Sequence, residues 1–238
     1  MVGIGPGGPE HRTFKAQQTI LDCDTIAGYP PYLESIADLT GGKLLISSGM
    51  RQEVTRVREA LEAAAAGRQV ALVSSGDSGI YGMAGLALEM AQNENYAVSI
   101  EIIPGVTAAN AAAAALGAPL MLDFCTISLS DLLVPWEMIR RRIKAAAQAD
   151  FVTALYNPRS KKRIRQLDET VKLFLHYRAT STPVGIVHAA GTVEEKVIIT
   201  DLAHLLDQEI GMRSMVIIGN SSGKVINHKF FTPRGYVV

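Results

Sequence analysis

The sequence predicts an α/β protein with largely parallel sheets, and three observations lead there. Short β-branched runs alternate along the chain with longer, Ala-rich stretches whose charges fall on one face, the pattern of strands and amphipathic helices in alternating α/β folds. Glycine-rich turns follow several of the runs, as they do where a strand hands the chain to a helix. With 238 residues and 48% of them hydrophobic, the chain can bury a sizeable core.

Strands are expected at residues 68–74, 97–103, 151–155, 183–188, 196–200 and 214–218, with a short one at 2–5 that ends in glycine. Helices are expected over 52–66, 82–92, 107–116, 136–149 and 162–177. The helical pattern stops near Gly117-Ala118-Pro119 and a new strand begins within 123–128. This break sets an N-terminal α/β domain at 1–116 and a C-terminal one at 117–238. The alanine runs at 63–66 and 111–115 read as close-packing helix faces, not as low-complexity tracts.

Composition excludes several classes of function. Lysine plus arginine and aspartate plus glutamate each total 23, so no global field concentrates nucleic acid or an anionic membrane. Any anionic ligand must be met by local basic groups. The two cysteines, Cys23 and Cys125, lack paired spacing and read as free thiols of a reducing compartment. The five histidines, His11, His176, His188, His204 and His228, are scattered without ligand spacing, so no metal site is expected. The opening Val2-Gly3-Ile4-Gly5 has neither a basic segment nor a long apolar run, and no apolar stretch is long enough to span a bilayer. A soluble, cytoplasmic protein is expected.

The turns at strand ends are where chemistry belongs in an open α/β sheet. Gly3-Ile4-Gly5-Pro6-Gly7-Gly8-Pro9 permits close backbone approach to a ligand, but it lacks the Lys-Ser/Thr of a phosphate loop, and its prolines spoil a dinucleotide fingerprint. A purely structural turn serves equally well. Ser75-Gly76-Asp77-Ser78-Gly79-Ile80-Tyr81-Gly82 follows a strand and precedes a helix; Asp77 either meets a polar cofactor or caps the helix. In Pro104-Gly105-Val106-Thr107-Ala108, Thr107 reads first as a helix cap. Tyr156-Asn157-Pro158 places an extended or turn residue before proline.

Taken in order, these four turns resemble the motifs of the tetrapyrrole methylase family. Further runs resemble the branch that methylates carbon 17 of precorrin-3B or cobalt-factor III and contracts the ring. These are Gly28-Tyr29-Pro30-Pro31-Tyr32, Ser48-Gly49-Met50-Arg51-Gln52-Glu53, Ser128-Leu129-Ser130-Asp131 and Thr232-Pro233-Arg234-Gly235-Tyr236. Two places depart from the pattern: Gly191-Thr192, where Gly-Arg is expected, and Ser222-Gly223, where a threonine is expected.

The resemblance implies two α/β domains with S-adenosylmethionine held in the cleft between them, a small tetrapyrrole substrate, and a homodimer. It assigns Pro6, Gly76, Asp77, Ile80, Thr107, Ala108, Asn157 and Gly185 to the cofactor. Tyr29, Glu53, Ser128 and Asp131, with Tyr32 and Ser130, become acid–base candidates for the ring contraction. A substrate rimmed by carboxylates calls for Arg or Lys forks, and Arg51, Arg56, Arg159, Lys161, Arg163 and Arg234 are the nominees. Arg140-Arg141-Arg142 reads instead as a solvated helix face. Competing readings are a methylase of the same fold acting at another macrocycle position or on another substrate, a dinucleotide-dependent oxidoreductase built on residues 3–8, and a binding protein without catalysis.

Overall fold

The computed structural model, which describes residues 1–237, separates into Met1–Ala108 and Ala109–Val238. The division falls before the helix expected to close the first domain, so that this helix opens the second.

In the first unit β1 (Val2–Gly3), β2 (Thr25–Gly28), β3 (Leu44–Ser47) and β4 (Val70–Ser74) form a sheet in the order β1-β4-β2-β3. Every pairing in it is parallel. The cause is the connections: α1 (Phe14–Asp22), α2 (Pro30–Glu34), α3 (Glu53–Ala65) and α4 (Ala84–Asn93) each follow a strand and return the chain across a sheet face. Side chains alternate along the strands. Ile26, Ala71 and Val73 therefore pack with Ile20 of α1 and Leu33 of α2 on one face. Ala27 and Leu72 pack with Val57 and Leu61 of α3 and Ala87 of α4 on the other.

The strand expected at 97–103 is reduced to one residue: Ile103 bridges Val2 in parallel and extends the sheet beside β1. Its β-like pattern has another cause, since Val98 and Ile100 are partly buried against the α3–α4 cluster without joining the ladder. Four of these elements went unforeseen, namely α1, α2, β2 and β3. Helix α1 does carry a sequence signal, because Thr13 caps it by accepting the Ala16 N–H at 3.1 Å.

The second unit contains α5 (Ala108–Leu116, begun at the last residue of the first unit), β5 (Gly117–Ala118), β6 (Phe124–Ser128), α6 (Trp136–Gln148), β7 (Val152–Tyr156) and α7 (Arg165–Tyr177). There follow β8 (Pro183–His188), β9 (Lys196–Asp201), β10 (Ser214–Ile218), β11 (Lys224–Ile226) and β12 (Lys229–Phe231). Its main sheet runs β6-β7-β10-β8-β9. Only β6 and β7, joined through α6, are parallel; the remaining pairs are antiparallel. The expectation of largely parallel sheets thus fails here. No helix separates β8 from β9, and a connection that short builds a hairpin. Helices α6 and α7 cover one face through Ile139, Ile143, Leu167, Val171 and Phe174. A small sheet, β11-β12-β5, carries an Asn227-His228 turn with positive φ at both residues, as two-residue hairpins prefer.

One polar knot ties this unit together. The buried Arg178 guanidinium meets the Asp150 carboxylate and donates to the carbonyls of Ala146 (3.4 Å) and Phe151 (3.2 Å). Asp150, at φ 61°, also accepts from Ser221 N (3.0 Å) and Ser221 Oγ (2.6 Å). Asp150→Asn keeps a residue that tolerates this φ while removing the charge that faces the guanidinium. We expect it to lower unfolding stability by about 2 kcal/mol, seen as a lower urea midpoint with an unchanged slope; an unmoved midpoint would show that the pair contributes nothing.

Candidate active site

Three backbone segments converge at the carboxyl ends of β1, β4 and the Ile103 bridge. Gly5 and Gly76 exchange N–H···O bonds of 3.1 and 2.7 Å, and Ile4 N donates to Ser74 O at 3.0 Å. Gly3 N donates to Ile103 O at 3.0 Å. Side chains are sterically barred: a Cβ on Gly105 would lie 2.1 Å from Gly76 O, and one on Gly3 would lie 2.8 Å from Gly105 N. Gly5 and Gly76 also hold φ of 80° and 62°, which costs glycine little and other residues much.

Asp77 locks the arrangement. Its Oδ1 accepts the Gly79 N–H at 2.8 Å and its Oδ2 the Gly105 N–H at 2.9 Å, so one carboxylate spans two turns. Beside it Ser78 is fully buried, and its hydroxyl has no partner among the described residues. Thr107 is buried at the start of α5, Ala108 is its first residue, and Ile80 stands exposed on the 77–82 turn. Pro6 is partly buried on the first turn. Five of the cofactor nominees of this unit, Pro6, Gly76, Asp77, Thr107 and Ala108, thus sit on adjoining turns, with Ile80 on the same loop as Asp77. Sequence reasoning passed over Ser78 and the steric roles of Gly3 and Gly105; the glycines' positions after apolar runs were the available signal.

A second group of nominees gathers in the same unit. Tyr29 caps α2 and meets Tyr32 edge-on, with ring centroids 5.3 Å apart. The Arg56 guanidinium lies 5.8 Å from the Tyr29 ring centroid. Arg56, however, is buried, and it donates to the carbonyls of Ser48 (2.7 Å) and Gly49 (2.8 Å). It anchors the turn before α3 and does not present a free fork. Glu53 is exposed at the first position of α3, where it accepts the N–H of Arg51 at 3.3 Å. Arg51 is itself exposed at φ 66°.

In the second unit the ends of β6 and β7 bring Ser128, Ser130, Asn157 and Arg163 together. Ser128 Oγ accepts the Ser130 N–H at 3.2 Å and the Asn157 side-chain amide at 3.0 Å. Asn157 has φ 49°, and its carbonyl accepts from Arg163 at 2.7 Å. Asp131 is exposed and accepts from Gln166 at 2.8 Å. Arg159 pairs with Asp168 at 2.8 Å, whereas Lys161 and Arg234 are exposed. The Tyr156 hydroxyl accepts the Ala109 N–H at 3.2 Å, which binds β7 to the start of α5. Gly185 lies inside β8, and its missing Cβ is accounted for by Leu116, whose Cδ1 would be 2.3 Å away. Thr192 bonds within its own turn, to Ala189 O at 2.8 Å.

The remaining features stand apart from these clusters. Cys23 and Cys125 are both free, and burial pushes both thiols up, the opposite of an activated nucleophile. No cluster of metal-binding side chains occurs among the described residues, and among them no helix is long and apolar enough to cross a membrane. Arg140, Arg141 and Lys144 line a groove of about 240 Å³ with His176 and Tyr177; none of the glycine turns borders it.

Residues 1–206 match the family of Tetrapyrrole (Corrin/Porphyrin) Methylases, and the chain belongs to that family. It is 48% identical over 240 residues to a cobalt-factor III methyltransferase of Priestia megaterium; the match takes in 99% of this chain but 44% of the relative, so the chain spans less than half of that relative's length. With a probable cobalt-factor III C(17)-methyltransferase of Salmonella typhimurium it shares 44% identity over 238 residues, 100% of this chain and 99% of that one. Among solved structures, that of the methyltransferase CobJ matches with a TM-score of 0.91 and 36% identity, over 98% of each chain.

The steric argument makes a paired prediction. Gly105→Ala should destabilise the protein by more than about 2 kcal/mol, since backbone must shift to admit the methyl group. Gly85→Ala, on α4 with nothing within 4 Å of the new Cβ, should be neutral or stabilising by about 0.5 kcal/mol. Equal unfolding midpoints for the two variants would contradict the close approach of the three turns.

Proposed function

We propose that the protein is an S-adenosylmethionine-dependent methyltransferase that methylates C17 of precorrin-3B or cobalt-factor III with ring contraction, acting as a cytoplasmic homodimer. The observation that carries this reading is the glycine-rich backbone cradle at residues 3–6, 76–80 and 105–108, in a chain similar over 99–100% of its length to cobalt-factor III methyltransferases.

The residues fit the methyl donor. Its adenosine and amino-acid portions are flat or richly hydrogen-bonding, and a surface of exposed backbone beside small side chains accommodates both. Gly76, Asp77, Thr107 and Ala108 would hold it, with Pro6 and Ile80 offering apolar contact. The buried, unpartnered hydroxyl of Ser78 offers one further polar group. Asn157 and Gly185 are assigned to the same ligand on the family resemblance. When bound, S-adenosylmethionine supplies an electrophilic methyl group on a sulfonium whose positive charge is lost on transfer.

That chemistry asks the chain for placement more than for charge stabilisation. Orientation of two reactants contributes roughly 7–11 kcal/mol in well-aligned systems, and the Asp77 clamp fixes the turns that would orient the donor. Proton handling during ring contraction falls to polar side chains at the substrate. Ser128 is the best-placed nominee of the second unit: with the Ser130 N–H and the Asn157 amide directed at its oxygen, the hydroxyl is left to donate. In the first unit Tyr29 is held by Tyr32 and Arg56, while Glu53 and Asp131 are exposed carboxylates. Substrate carboxylates fall to Arg51, Lys161 and Arg234, which are exposed, and not to Arg56 or Arg159, which are engaged within the chain.

Isothermal titration with S-adenosylhomocysteine and mass analysis of precorrin-3B or cobalt-factor III after incubation with S-adenosylmethionine test the proposal together. Binding in the micromolar range and a gain of one methyl at C17 are expected. Asp77→Asn should weaken S-adenosylhomocysteine binding at least tenfold, because an amide nitrogen cannot accept the second backbone N–H. Methylation at a different macrocycle carbon would reassign the substrate position, and absence of binding would overturn the proposal.

A further inference from the structure

Arg163 is a partly buried cation that forms no ion pair among the described residues, with Asp131 the one carboxylate that acts on it from a distance. Its guanidinium donates to the Asn157 carbonyl at 2.7 Å and lies 3.5 Å from Ser130 Oγ, and its Nε is buried without a partner among the described residues. The neighbouring ion pairs are complete without it: Arg159 with Asp168 at 2.8 Å and Arg165 with Glu169 at 3.0 Å. Asp131 is too distant to form an ion pair with it, and its carboxylate is taken by Gln166. Desolvation, the larger influence, lowers the Arg163 pKa, and Asp131 offsets it only in part.

A guanidinium in this position is not explained by folding alone. Withdrawing an ion from water is unfavourable unless an opposite charge and hydrogen bonds compensate, and among the described residues the guanidinium's hydrogen bonds go to two neutral oxygens. The same corner holds two serine hydroxyls, and that of Ser128 is directed to donate. A cation flanked by hydroxyl donors is complementary to a carboxylate. We propose that Arg163, with Ser128 and Ser130, forms a subsite for one side-chain carboxylate of the tetrapyrrole, and that this charge fixes the macrocycle's orientation during methyl transfer. The inference rests on the methyltransferase reading above and names a specificity residue within it.

Steady-state kinetics on Arg163→Met and Arg163→Lys, with calorimetric titration of S-adenosylhomocysteine, tests the subsite. In Arg163→Met, KM for the tetrapyrrole should rise roughly tenfold to a hundredfold, the range for loss of a charged hydrogen bond, with S-adenosylhomocysteine affinity within twofold of wild type. The lysine variant should recover part of the loss. An unchanged KM overturns the subsite; so does a fall in S-adenosylhomocysteine affinity that parallels KM, which would make Arg163 only the support of the Asn157 turn. If the methionine variant does not fold, Ser130→Ala carries the test, with KM expected to rise about threefold on loss of one neutral hydrogen bond and an unchanged KM overturning the proposal. Failure of the methyltransferase reading would look different, since wild type would then neither bind S-adenosylhomocysteine nor methylate.

Discussion

The contact of three backbones at one edge of the first sheet is the constraint on which the rest depends. Gly3 and Gly105 approach their neighbours so closely that neither can carry a side chain without moving them, and Gly76 holds a φ of 62° that favours glycine. Hydrogen bonds between Gly5 and Gly76 hold two of the turns, and Asp77 joins the third. Parallel β1 and β4 bring the turns side by side because each connection crosses a sheet face and returns. The same geometry leaves a bare, polar backbone surface at the strand ends, where open α/β sheets take their ligands.

The second unit solves a different problem. Its mixed sheet is stiffened by the α6–α7 layer and by the Arg178–Asp150 knot, and it places short polar side chains at the ends of β6 and β7. Ser128, Ser130, Asn157 and Arg163 satisfy one another except for one charge. Backbone groups thus dominate the cluster of the first unit, and side-chain groups that of the second.

Much of this was readable from the residues. The long helices α3, α6 and α7 declare themselves through period and length, and the strands at 70–74, 183–188 and 214–218 through β-branched runs closed by turns. Strands β2 and β3 did not, because each has four residues and a pattern that short has no readable period. The segment at 97–103 misled for the reverse reason, its apolar residues being drawn to a helical cluster and not to a ladder. Sheet direction in the second unit followed from the missing helix between β8 and β9, a signal present but unused. At the site, glycine turns marked the cradle, yet which arginines are free was not readable. Arg56 and Arg159 are engaged by partners fixed only when the chain folds, and sequence spacing does not show that.

The most direct measurement of the central claim is hydrogen–deuterium exchange of the intact protein with and without S-adenosylhomocysteine. Amides in residues 3–9, 74–82 and 103–108 should gain protection together, because the three turns act as one cradle. Unchanged exchange in all three, or protection confined to segments outside them, would contradict the account.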